Sequence, residues 1–82
     1  MKLKYDEKAD AVYIRFSEAA FDHTKSLDDY RHIDFAKDET LIGIEILYPS
    51  RGVNVDGLPP SEAFVGRLLE EHGFKVLTTN RT

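Results

Sequence analysis

The sequence predicts an α+β fold, an antiparallel sheet of four to five strands with one face covered by a C-terminal helix. Three observations carry this. Ile42, Ile44 and Ile46 recur with period two inside Leu41–Leu47, the mark of a half-buried strand built from β-branched residues. Ala11 to Ser17 repeats that alternation, with Val12, Ile14 and Phe16 on one side. From Ser61 to His72 the spacing turns helical, and Phe64, Val65, Leu68, Leu69 and His72 make one stripe.

The whole chain sets the frame for these elements. At 82 residues it has the length of one small domain, close to the lower limit at which a single core sustains folding. Its 41% hydrophobic and 32% charged residues are a globular composition rather than a disordered one. With no cysteine, the core has to hold without disulfides or thiolate metal sites. No apolar run approaches the length of a membrane span, and Met1-Lys2-Leu3-Lys4 turns acidic at Asp6 and Glu7 without a signal-peptide segment. A cytoplasmic protein is expected, with no membrane partner. Net charge is −4 and no lysine or arginine run appears, so no nucleic-acid partner is expected.

Taken in order, Leu3 and Tyr5 share a face of a first short strand, and Asp6-Glu7-Lys8-Ala9-Asp10 is a polar connection of hairpin length. The second strand follows over Ala11 to Ser17, with Tyr13, Arg15 and Ser17 outward. Ala19 to Asp28 has no apolar face on either side, which predicts an exposed strand or partial loop of loosely specified register. Asp28-Asp29 marks a turn. His32 to Ala36 restores the pattern, Ile33 and Phe35 inward, His32 and Asp34 outward. Lys37-Asp38-Glu39-Thr40 turns the chain into the isoleucine strand, which completes the sheet over residues 1–48.

Residues 49–60 read as a hinge loop, since Tyr48 to Pro60 holds all three prolines together with Gly52 and Gly57. Val53 and Val55 are candidates for a brief extended segment. The helix is expected over 61–73, with Ser61 as N-cap, Glu62 in the first turn and Gly73 in the left-handed C′ position. Gly66 inside it costs about 1 kcal/mol relative to alanine. Residues 78–82 are expected to fray.

Lys4-Tyr5-Asp6-Glu7-Lys8-Ala9-Asp10-Ala11-Val12-Tyr13-Ile14-Arg15-Phe16 resembles the opening signature of domain-of-unknown-function family 2283. Leu41-Ile42-Gly43-Ile44-Glu45-Ile46-Leu47 is similar to that family's second signature. The two motifs cover the stretch from Met1 to Ser50. The family carries an acidic-glycine turn before the second motif, where this chain has Lys37-Asp38-Glu39-Thr40. The resemblance implies a small bacterial or archaeal β-rich protein of no established activity and, for some members, the antitoxin-like half of a two-gene pair. It transfers no catalytic residue.

The motif residues have structural explanations. Asp6 and Asp10 suit hydrogen bonds to turn amides, and Tyr5 and Tyr13 suit cross-strand packing. Gly43 suits the close approach of a neighbouring backbone or large ring, with Glu45 outward opposite Arg15 or His32. The one alternative that carries chemistry is a small hydrolase or metal-dependent enzyme using His32, Asp34 and Glu45, because a histidine beside carboxylates serves as a general base or metal ligand. Outward positions on such a sheet are polar by default, and no residue here has motif spacing. A metal set of His23, His32 and Asp34 needs three ligands to converge from separate strands. No catalytic residue, cofactor or metal is therefore expected.

A width argument points instead to association. Four or five strands about 4.8 Å apart span roughly 19–24 Å, whereas one helix with side chains covers about 10–12 Å. The inward set Leu3, Val12, Ile14, Phe16, Ile33, Phe35, Ile42, Ile44 and Ile46 asks for more cover than that. The expected role is a non-catalytic protein–protein interaction module. It is expected to self-associate as a homodimer through Phe64, Val65, Leu68 and Leu69, with an acidic surface suited to a small basic protein partner.

Overall fold

The computed structural model describes residues 1–77 and falls into two compact units, Met1–Tyr48 and a second that begins at Pro49. The segment 78–82, expected to fray, lies outside the described residues.

The first unit is one antiparallel sheet of β1 (Lys2–Asp6), β2 (Ala11–Arg15), β3 (His23–Ser26), β4 (Arg31–Phe35) and β5 (Leu41–Leu47), in the spatial order β1-β2-β5-β4-β3. The isoleucine strand is thus central, with β2 on one side and β4 on the other. Its three isoleucines are buried, as are Val12, Ile14 and Ile33. Leu3, Phe16 and Phe35 are half-buried. Six of the nine inward residues are therefore covered in a single chain, and the open remainder is narrower than strand spacing alone suggests. Part of the reason lies at the β3 edge. There the His23 ring stacks on Phe35 at 5.5 Å and the Lys25 ammonium sits 5.1 Å from the same ring, so polar side chains cover apolar surface with their stems and faces.

Two departures from ideal pairing shape the sheet. Asp34 is opposite Gly43 but Phe35 is opposite Leu41, which leaves Ile42 as an extra residue in a bulge. The Ile42 carbonyl then accepts from both Phe16 N (2.7 Å) and Ser17 N (3.2 Å), and β2 stops at Arg15, short of the Ser17 expected. The stretch 19–28 contributes only the four residues of β3, mostly exposed, in keeping with its lack of an apolar face.

The second unit opens with a 3₁₀ turn at Pro49–Arg51, followed by β6 (Val53–Asn54), α1 (Glu62–Glu71) and β7 (Val76–Leu77). Ser61 caps the helix by accepting from Phe64 N at 3.2 Å. At the other end Gly73, with φ +90°, donates to the Glu70 carbonyl and Phe74 N donates to Leu69, a Schellman pair of bonds. His72 Nδ1 bonds the Leu68 carbonyl at 3.0 Å, the same carbonyl that its own backbone N–H reaches at 3.3 Å, so the side chain reinforces the last turn. β6 and β7 pair in parallel through Val53–Val76 and Asn54–Leu77. Val53, Leu58, Val65 and Leu69 are buried. No helix among the described residues is long and apolar enough to cross a membrane.

Candidate functional site

Because side chains alternate along each strand, the outer face of the sheet carries two aligned rows. One runs Lys2, Arg15, Gly43, Asp34, Thr24, and the other Lys4, Tyr13, Glu45, His32, Ser26. The centre of this face is a clasp. Tyr13 reaches from β2 across β5 and donates its hydroxyl to Asp34 Oδ2 at 2.8 Å. Thr24 on β3 donates to Asp34 Oδ1 at 2.7 Å, so one carboxylate ties strands on both sides of β5. Gly43 makes the reach possible. A Cβ there would lie 2.5 Å from Tyr13 Cζ and 2.7 Å from the Ile14 carbonyl oxygen. This is the close approach of a large ring that the motif glycine predicted.

The clasp sets the electrostatics. Partial burial, then the hydrogen bond to Asp34 and its negative charge, push the Tyr13 phenol up to about 12, against an opposing pull from Arg15. A tyrosine so held is neutral at physiological pH and serves as a donor, not a nucleophile. Both Asp34 oxygens already accept hydrogen bonds. The arrangement is therefore suited to holding strands in register.

The three residues of the enzymatic alternative share this face without joining one another. His32 is directly opposite Glu45, as expected for the glutamate's neighbour, while Arg15 is opposite Gly43. His32 Nδ1 bonds Ser26 Oγ at 2.6 Å and its Nε2 bonds the Asp29 carbonyl at 3.2 Å. Asp34 is engaged by Tyr13 and Thr24, and Glu45 is exposed. His23 lies on the opposite face, against Phe35, so it cannot share a metal with His32 and Asp34. Among the described residues no group of three or more His, Cys, Asp or Glu is placed to hold a metal ion.

The opening motif divides between the two faces. Asp6 accepts from Ala9 N at 3.1 Å, the turn bond expected of it. Asp10 takes the Tyr5 hydroxyl at 2.9 Å, and that bond is the main cause of the raised Tyr5 phenol. Tyr5 alternates with Leu3 and Tyr13 with Arg15, so the two tyrosines pack on opposite faces and not on each other.

A feature that sequence reasoning missed lies at the end of the sheet where the β1–β2 turn, the β3–β4 turn and the end of β5 meet. Leu47 N donates to the Tyr30 carbonyl and Tyr48 N to the Asp10 carbonyl, which brings the two tyrosines together. Their rings meet edge to face, centroids 5.8 Å apart, at 50% and 40% exposure, and Leu27 in the same turn is 43% exposed. Asp10, whose backbone carbonyl takes Tyr48 N, and Asp28 and Asp29, which precede Tyr30 in its turn, lie at the same end of the sheet. Asp28 also takes Arg31 Nε (3.0 Å) and Nη2 (2.9 Å), and that guanidinium above all holds its carboxyl below the usual range. Arg31 is buried on the inward face, a position that the Ile33–Phe35 alternation implied but that went unread. The available signal for the tyrosine end was Asp28-Asp29-Tyr30, an aromatic residue set directly behind a turn.

Of the four helix residues expected at an interface, Val65 and Leu69 are buried, Leu68 is half-buried and Phe64 is 43% exposed. Comparison with curated proteins and with solved structures returns no match for this chain. The model of the family described as "Protein of unknown function (DUF2283)" matches residues 2–50, which hold the five strands of the antiparallel sheet and the Tyr13–Gly43–Asp34 clasp, and the chain belongs to that family.

Proposed function

We propose that this protein is a non-catalytic interaction module that acts as a homodimer and captures a small basic partner protein, as an antitoxin-like subunit would. The observation that carries the reading is the exposed Tyr30–Tyr48 pair, with Leu27, Asp10, Asp28 and Asp29 at the same end of the sheet. Tyrosines present large, stiff, amphipathic surface and are enriched where proteins bind one another. Carboxylates at that end favour a cationic partner and speed its approach. The meeting place is the cytoplasm, the compartment expected from the sequence.

Self-association is assigned to the α1 stripe of Phe64, Val65, Leu68 and Leu69. Phe64 and Leu68 are reachable on the surface. Val65 and Leu69 are buried and would join only through exchange of the helix between copies about the hinge at residues 49–60.

Two measurements test this. Light scattering at micromolar concentration should give twice the 9.4 kDa chain mass, and a value of 9.4 kDa with cooperative unfolding removes the dimer. Co-expression with a small basic reading frame from the same operon should give a complex that Tyr30→Ala/Tyr48→Ala abolishes while the fold is retained. A complex indifferent to that double substitution places recognition elsewhere.

A further inference from the structure

Strand pairing gathers cations that lie apart in the chain. Lys2 is directly opposite Arg15 in the β1–β2 hairpin, and Lys4 is opposite Tyr13, all on the outer face. Opposed Cβ atoms sit about 4.5–5.5 Å apart and alternate residues of one strand roughly 6.6–6.8 Å apart. Three positive charges thus share one corner of a chain whose net charge is −4.

Left alone, this arrangement is unfavourable. Like charges directly opposed weaken an antiparallel pair, and Lys2–Arg15 is the one such pair in the register of the five-stranded sheet. Among the described residues no ion pair engages Lys2, Lys4 or Arg15. Arg15 Nη1 donates to the Ser17 carbonyl at a long 3.4 Å, and its guanidinium lies 5.5 Å from the Tyr13 ring centroid. The rest of its fork is available. Lys2, Lys4, Arg15, Tyr13 and Glu18 line a cleft of about 390 Å³. Its Tyr13 wall is held in place by the bond to Asp34.

We propose that this corner binds a phosphate group, free or at the end of a small molecule. A phosphate dianion brings several acceptor oxygens and about two negative charges. The arginine fork recognises such an oxygen pair bidentately, and the two lysines act as point charges. Binding also relieves the Lys2–Arg15 repulsion. Glu18 is the one carboxylate in the lining; three cations less one anion leave +2, matched to a single phosphate rather than a polyanion. The proposal uses residues distant in role from the tyrosine end and stands independently of the interaction reading.

The test is a titration of the full chain at low, matched ionic strength with inorganic phosphate and with adenosine monophosphate, followed by amide NMR shifts. Saturable shifts confined to Lys2, Lys4, Arg15 and their neighbours are expected. Arg15→Gln should weaken binding at least about tenfold, as should Lys2→Gln/Lys4→Gln, with the fold intact in both. Tighter binding of the nucleotide identifies a phosphorylated small molecule, and equal affinity identifies free phosphate; either supports the site. Absence of saturable shifts with both probes, shifts undiminished in both variants, or a response only to single-stranded oligonucleotide overturns it.

Discussion

The Tyr13 hydroxyl donates to Asp34 Oδ2 at 2.8 Å across the bare backbone of Gly43, so two strands that are not neighbours are joined over the one between them. The joint depends on a missing side chain. Gly43→Ala places a methyl against both the tyrosine ring and the Ile14 carbonyl, and only the ring is free to swing away. The expected outcome is destabilisation by about 1–3 kcal/mol, the usual cost of forcing an extra carbon into packed structure. Denaturant unfolding measures it, and an unchanged midpoint would show that the backbone of β2 yields without cost.

Removing the hydroxyl alone is milder. Tyr13→Phe keeps the ring over Gly43 and forfeits one hydrogen bond, a loss of about 1 kcal/mol at neutral pH. The pH dependence gives it a signature. The folded-state phenol is raised to about 12 from an ordinary 10.0, so the fold favours the neutral form. That contribution is complete below pH 10 and is lost as pH rises from 10 through about 12. Wild type and Tyr13→Phe should therefore converge in stability over that interval. Tyr5 is also raised but is common to both proteins and leaves the comparison intact.

Gly66 asks the opposite question, because here a methyl has room. A Cβ at this buried helical position would meet Val76 Cγ1 at 3.7 Å and Val55 Cγ1 at 4.0 Å, both ordinary contacts. Gly66→Ala should stabilise the protein by about 1 kcal/mol from helix propensity. For a domain of this size that raises Tm by roughly 4–8 °C. A lower Tm in calorimetry would mean that α1 and β7 pack more tightly than these distances imply.

Much of this was legible because it rests on local period or local chemistry. The isoleucines mark β5 by alternation, Ser61 marks the helix start by its side-chain acceptor, and Gly43 inside a strand signals a close neighbour. What escaped depends on pairing partners far away in sequence. The parallel contact of β6 with β7 involves two residues on each side, too few to show any period. The β3 segment has no apolar face, so its alternation separates His23 from Thr24 without announcing which of the two would pack against Phe35. Lys2 and Arg15 are 13 positions apart and become a cation pair only once the hairpin register is known.

Glu39 closes the β4–β5 turn at φ +71°, the left-handed conformation that favours glycine. An L side chain there costs about 1–2 kcal/mol. Its carboxylate offsets some of this through contacts with the half-buried His23 at Nε2 (3.4 Å) and the exposed Lys25 at Nζ (3.5 Å), each worth no more than ~1 kcal/mol. Glu39→Gly alone mixes the two effects and should lie near wild type at low salt. Paired with Glu39→Gln it separates them, since both variants lose the charge and only glycine relieves the backbone. Glu39→Gly should exceed Glu39→Gln in stability by about 1 kcal/mol at every salt concentration, after the entropy that glycine adds to the unfolded chain. Wild type should lose its advantage over Glu39→Gln as salt screens the Lys25–Glu39 ion pair. Parallel urea titrations at low and high salt read both differences, and equal midpoints for the two variants would mean that the turn carries no strain at this residue.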